Sequence, residues 1–92
     1  MPLLCDEEFL ATVQRYGQVQ VPVLIRWKHM LEAGEALGVY IYFTRKAGSE
    51  GFYARMNRDA KFTIPKVVVE ELGIEPGDMI KVTLCSETTQ NQ

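Results

Sequence analysis

The 92-residue chain has a single histidine and two cysteines, and that scarcity removes most catalytic and metal-binding chemistries. No CxxC or Cys/His spacing suggests a zinc site, no Ser/His/Asp arrangement suggests a nucleophile, and no glycine-rich loop suggests a phosphate cradle. An enzyme is therefore not expected, nor is a cofactor or a metal. No apolar run approaches the roughly 18 residues of a membrane span. The first eight residues, MPLLCDEE, turn acidic early and lack the basic start and apolar core of a secretory signal, so a cytoplasmic location is expected. Cys5 and Cys85 have no close partner in sequence. Two unpaired thiols are the expectation, and a disulfide tying the chain's ends is the alternative.

What is present is a repeat. Residues 9–41 align without a gap on residues 52–84, an offset of 43. Seven positions are identical: Phe9/Phe52, Ala11/Ala54, Arg15/Arg58, Pro22/Pro65, Glu32/Glu75, Gly34/Gly77 and Val39/Val82. Others swap like for like, as in Val21/Ile64, Leu24/Val67, Leu31/Ile74 and Leu37/Ile80. A fixed offset with matching chemistry means one supersecondary unit used twice. The chain then divides into repeat one (9–44), a linker (45–51), repeat two (52–85) and a frayed tail (86–92), all within a single domain spanning 1–92.

Each unit reads as strand, turn, strand, helix, turn, strand. Phe52 to Met56 alternates apolar and polar as a half-buried strand does. Asn57-Arg58-Asp59-Ala60, matched by Gln14-Arg15-Tyr16-Gly17, is a turn. Lys61 to Ile64 is a second strand, expected to form a hairpin with the first. Pro65 closes it and starts a short helix from Lys66 to Leu72, with Gly73 at the left-handed cap. Pro22 to Leu31 repeats that helix, although Met30 takes the glycine's place. Glu75-Pro76-Gly77-Asp78 turns into a last strand, Met79 to Leu84; its counterpart is Ala36 to Thr44. A lone unit would leave open sheet edges and an open apolar face. Two copies closing six strands into one small barrel remove both, so a mainly β fold with short helices is expected.

Net charge is −2, from ten Lys and Arg against twelve Asp and Glu. The charge is segregated: residues 45–66 carry six cations and two anions, and residues 70–92 carry five anions and one cation. Such separation makes total charge a weak guide to partners.

The stretch from Asn57 to Leu84 resembles the AbrB/SpoVT/MazE DNA-binding domain, a cradle-loop barrel. The match rests on the turn and apolar strand ending Ile64-Pro65, the helix ending Leu72-Gly73-Ile74, and Pro76-Gly77-Asp78. Ala60-Lys61 stand where the family has Gly-Arg. Repeat one keeps Gly17, has Gln18 in the arginine's place, and departs at His29-Met30-Leu31. The resemblance implies a six-stranded cradle-loop, swapped-hairpin type of barrel and transcriptional regulation by binding double-stranded DNA. Family members carry one copy per chain and dimerise, so this chain resembles a pseudo-dimer in one chain, with further homodimerisation left open. The DNA-facing residues it implies are Arg15, Gln18, Arg55, Arg58 and Lys61. Their chemistry agrees: Arg and Lys reach phosphates, Arg can pair with guanine N7 and O6, and Gln with adenine.

The alternative is a protein-interaction barrel of the double-psi kind, for which the net negative charge and Trp27 speak. Trp27 stands where repeat two has Glu70, and either packs on the linker or marks a partner surface. An antitoxin ranks below both, since family antitoxins use a long C-terminal extension. His29 reads as a partly buried core histidine, Tyr40 and Tyr42 as sheet surface, and Asp78 as a residue that bonds local backbone.

Overall fold

The computed structural model describes residues 7–86, except for the side chain of Ser86. The order is β1 (Glu7–Thr12), β2 (Gln18–Gln20), α1 (Val23–His29), β3 (Ala36–Phe43), β4 (Gly48–Arg55), β5 (Lys61–Thr63), α2 (Lys66–Leu72) and β6 (Met79–Ser86). The alternation expected of the first strand of each unit is present: β1 and β4 cover every second side chain and expose the others. No helix among the described residues is long and apolar enough to cross a membrane.

All strand pairing is antiparallel, in a four-stranded sheet of order β1-β6-β3-β4 and a two-stranded ribbon of β2 and β5. One closed six-stranded barrel is therefore not what forms. The expected hairpins do not form either. Gln14 N bonds the Gln18 carbonyl and Asn57 N bonds the Lys61 carbonyl, each at 2.8 Å, so each turn closes. Beyond that bond the two strands part. Every ladder instead joins one repeat to the other, because β1 pairs with β6, β4 with β3, β3 with β6 and β2 with β5.

The registers obey the offset of the repeat. Phe9 faces Val82 as Phe52 faces Val39. Val19 faces Phe62 and Tyr40 faces Thr83, and each of these pairs is one position of the unit meeting itself. A pseudo-twofold axis accordingly runs through the Val19–Phe62 and Tyr40–Thr83 pairs. Loop bonds repeat it: Val21 N donates to Ala60 O (2.8 Å) as Ile64 N donates to Gly17 O (2.9 Å).

The core lies between sheet and ribbon and is built from related pairs: Val13 and Met56, Val19 and Phe62, Val21 and Ile64, Leu37 and Ile80, Val39 and Val82, Ile41 and Leu84. Phe52 of the sheet meets Phe62 of the ribbon with ring centroids 6.3 Å apart. A small domain has little surface to spare, and sharing one interior between the halves is how each covers its apolar side.

Two boundaries and one thiol differ from expectation. Strand β4 begins at Gly48, inside the segment expected as linker, because Gly48–Gly51 finds partners in Tyr40–Phe43. Strand β6 runs on to Ser86, and the rest of the expected tail lies outside the described residues. Cys85 is buried and disulfide-bonded rather than a free thiol. Cys5 lies outside the described residues.

Candidate nucleic-acid interface

The ribbon sets the site. Alternation in three-residue strands sends Val19 and Phe62 into the core and leaves Gln18, Gln20, Lys61 and Thr63 on the outer side, half-buried or exposed. Gln18 lies opposite Thr63, and Gln20 opposite Lys61. The turns that feed the two strands sit at opposite ends of the ribbon. Repeat one's turn is held beside Ile64, and repeat two's turn beside Val21. Arg15 and Arg58 are exposed on these turns. Four of the five residues singled out in the sequence, Arg15, Gln18, Arg58 and Lys61, therefore gather along one ribbon and its two ends. The ribbon is about 10 Å long at roughly 3.3 Å per residue, and its strands are about 4.8 Å apart.

Arg55 is not among them. It ends β4, and its Nη1 donates to the Gly34 carbonyl at 2.7 Å, bracing the Glu32–Glu35 turn that precedes β3 rather than the ribbon.

Gln20 was not singled out by the sequence, and its side chain is already engaged. Its Nε2 donates to the carbonyls of Asp59 (2.9 Å) and Ala60 (3.2 Å). Thr63 was also missed; only its place opposite Gln18 brings it to the ribbon's outer side, and no local motif announces that.

The two turns have different internal supports. Asn57 Oδ1 accepts the backbone N–H groups of Asp59 (2.9 Å) and Lys61 (3.0 Å), a local brace. Repeat one has Gln14 there, and no side-chain bond braces its turn among the described residues. Ala60 takes a left-handed conformation (φ 63°), as its counterpart Gly17 does (φ 72°), a conformation that glycine adopts without a steric penalty. Tyr16 is left-handed too (φ 61°) and is 85% exposed.

Outside the ribbon, one polar cluster joins β1 to α1. The Glu7 carboxylate accepts from Lys28 Nζ at 2.8 Å and lies 2.7 Å from His29 Nε2. The hydrogen bond from Lys28, followed by that with His29, holds the Glu7 carboxyl below its ordinary value. His29 is half-buried, as expected, and its bond to Glu7 accounts for it. Asp78 Oδ2 accepts from Glu75 N at 2.8 Å, the local backbone bond expected of it. Tyr40 and Tyr42 are exposed on the sheet. Trp27 does not pack on the linker: it is 70% exposed. Among the described residues no three His, Cys, Asp or Glu side chains gather as a metal site would need.

No protein-family model matches the chain, and no curated protein matches it. Among solved structures, the solution structure of PHS018 from Pyrococcus horikoshii is similar. It superimposes with a TM-score of 0.79 at 28% identity, over 98% of this chain and 100% of that one. Agreement over the whole length of both means that the two chains share this interleaved fold.

Proposed function

We propose that the protein binds double-stranded DNA as a transcriptional regulator, laying the outer side of the β2–β5 ribbon in the major groove. The observation that carries this is the ribbon itself: two antiparallel strands, apolar inward and polar outward, with an arginine at each end. A major groove about 12 Å wide admits a two-stranded ribbon. The pseudo-twofold axis passes through the ribbon's centre, where a duplex also has local twofold symmetry. Arg15, Arg58 and Lys61 supply phosphate or guanine contacts, and Gln18 an amide suited to adenine. The AbrB/SpoVT/MazE resemblance of repeat two supports the same function. It also supports reading the facing sheet and ribbon as an opened form of the cradle-loop barrel in which the repeats exchange strands. A cytoplasmic location accompanies this role.

The test is binding to duplex DNA across a salt series. Affinity should fall linearly on a logarithmic scale as salt rises, with a slope near −0.9 per phosphate contact. Arg15→Ala and Arg58→Ala should each weaken binding and shallow the slope. No binding at low salt would remove this function.

A second function, docking of another protein, is favoured by α1. None of its residues is buried, and Val23, Leu24 (71% exposed), Trp27 and the following Met30 (80% exposed) lie bare. Arg26 and Lys28 interleave with them, and Arg26 Nε is buried without a hydrogen-bond partner. Such a face suits an apolar protein surface carrying acidic groups. Leu24→Glu, placed on the helix and not the ribbon, separates the two functions. It should abolish association with a purified partner and leave DNA affinity unchanged.

A further inference from the structure

We infer that the chain recognises an asymmetric duplex site in one fixed orientation, with repeat one selecting bases and repeat two holding the backbone. This rests on the DNA-binding function proposed above and goes beyond it.

A homodimer on a palindrome presents the same side chains to both half-sites. Here the pseudo-twofold through Val19 and Phe62 relates residues that differ at nearly every outward position. Arg15 and Arg58 are the shared pair. Around them the axis matches Tyr16 with Asp59, Gln18 with Lys61, and Gln20 with Thr63. The unlike pairs divide by chemistry. Gln18 offers a donor and an acceptor in one plane, which fits adenine N6 and N7, whereas Lys61 offers a point charge. Tyr16 places an exposed ring at its tip, able to meet a thymine methyl or a sugar. Asp59 at the other tip offers only acceptors, which suit a base amino group (cytosine N4 or adenine N6) and which phosphate repels, so the backbone contacts of that end fall to Arg58 and Lys61.

The engaged groups sharpen the division. Gln20 spends its Nε2 on the Asp59 and Ala60 carbonyls, so the ribbon's second glutamine holds repeat two's turn in place instead of facing a base. Asn57 closes that same turn from within. Repeat two's end is thus braced twice and carries Arg58 and Lys61. Repeat one's end lacks both braces and carries the exposed Tyr16 ring at its tip.

The test begins with duplexes selected from a randomised pool by the native protein. The preferred site is then compared with two palindromes, each built by duplicating one of its halves. The selected asymmetric site should bind about tenfold more tightly than either palindrome, since one lost base contact is worth roughly 1–3 kcal/mol. Gln18→Ala should relax preference at one end only and leave the salt slope unchanged. Lys61→Ala should lower the slope by about one with preference intact. The double exchange Gln18→Lys with Lys61→Gln should reverse the protein on the site, read by cleavage from a tethered reagent. These positions lie outside the core, and a thermal melt of each variant is the check that it folds. Equal or tighter binding to a palindrome, or binding that is uniform across sequences, overturns the asymmetric site while DNA binding stands. Absence of any duplex binding at low salt overturns both.

Discussion

The two helices occupy equivalent places in the two repeats, yet they are held very differently. Helix α2 buries Val68 and Leu72, and Ile74 follows them into the core. Their counterparts Ile25, His29 and Leu31 are only half-buried, and α1 keeps none of its residues fully covered. Part of the reason is composition, since His29 replaces Leu72 and is tied to Glu7 at the sheet's edge. The rest is connectivity. The segment joining β3 to β4 closes over α2: a Cβ on Gly48 would lie 2.7 Å from Leu72 Cδ2, and one on Gly73 would lie 2.9 Å from Lys46 Nζ. A tandem chain has one such connection, and α1 has no equivalent of it among the described residues. Duplication supplies symmetry, and joining the copies in one chain breaks it.

The sharpest way to break this comparison is to remove apolar bulk from each helix. Leu72→Ala should destabilise the protein by about 2–5 kcal/mol in denaturant unfolding, as buried leucine truncations do. Leu24→Ala, on the open face of α1, should stay within about 0.5 kcal/mol of the native chain. Equal losses would mean that the helices are equally packed.

The caps give a smaller contrast of opposite sign. Gly73 (φ 69°) and Met30 (φ 54°) end their helices in the same left-handed conformation. Gly73→Ala should cost about 1 kcal/mol, the Lys46 contact adding little because a lysine end can move. Met30→Gly should raise stability by about 0.5–1 kcal/mol, relief of the left-handed strain outweighing glycine's entropy. A loss in the second variant would show that Met30 makes a contact worth more than its strain.

The smallest effect concerns the tie that α1 has and α2 lacks. Glu7 titrates below its ordinary value in the folded chain, so its pairing with Lys28 and His29 favours the folded state once pH exceeds the unfolded carboxyl's range. That contribution is lost as pH falls through the lowered folded value. Glu7→Gln should accordingly be less stable than the native chain at pH 7, and the difference should vanish once pH falls below the lowered folded value. A difference that persisted in acid would assign the effect to shape rather than charge.

Much of this was legible in the sequence because it is local. The offset of 43 announced the duplication, Pro22 and Pro65 placed the helix starts, and the alternation in β1 and β4 placed their faces. Gly73 announced its cap, and Met30 shows that the backbone keeps that conformation even where the residue disfavours it. The hairpin was misread because a period of two identifies a strand without naming its partner. Gly48–Gly51 looked like linker because its strand character depends on β3 lying beside it. Among the candidate residues, Arg15, Arg58, Gln18 and Lys61 were singled out through the repeat and the resemblance, and the fold places them along one ribbon. The attachment of Arg55 to Gly34 and of Gln20 to Asp59 and Ala60 spans 21, 39 and 40 residues and had no local signal.

The order of residues alone fixed the elements, their inward faces and the equivalence of the halves, since dihedral preference and apolar spacing act within a few neighbours. The tertiary structure decided that every ladder crosses between repeats, that one helix is covered while its twin lies open, and that the arginine turns flank a shared ribbon. Backbone hydrogen bonds in sheets and the burial of one half by the other join residues distant in sequence, so neither is written in any single stretch of the chain.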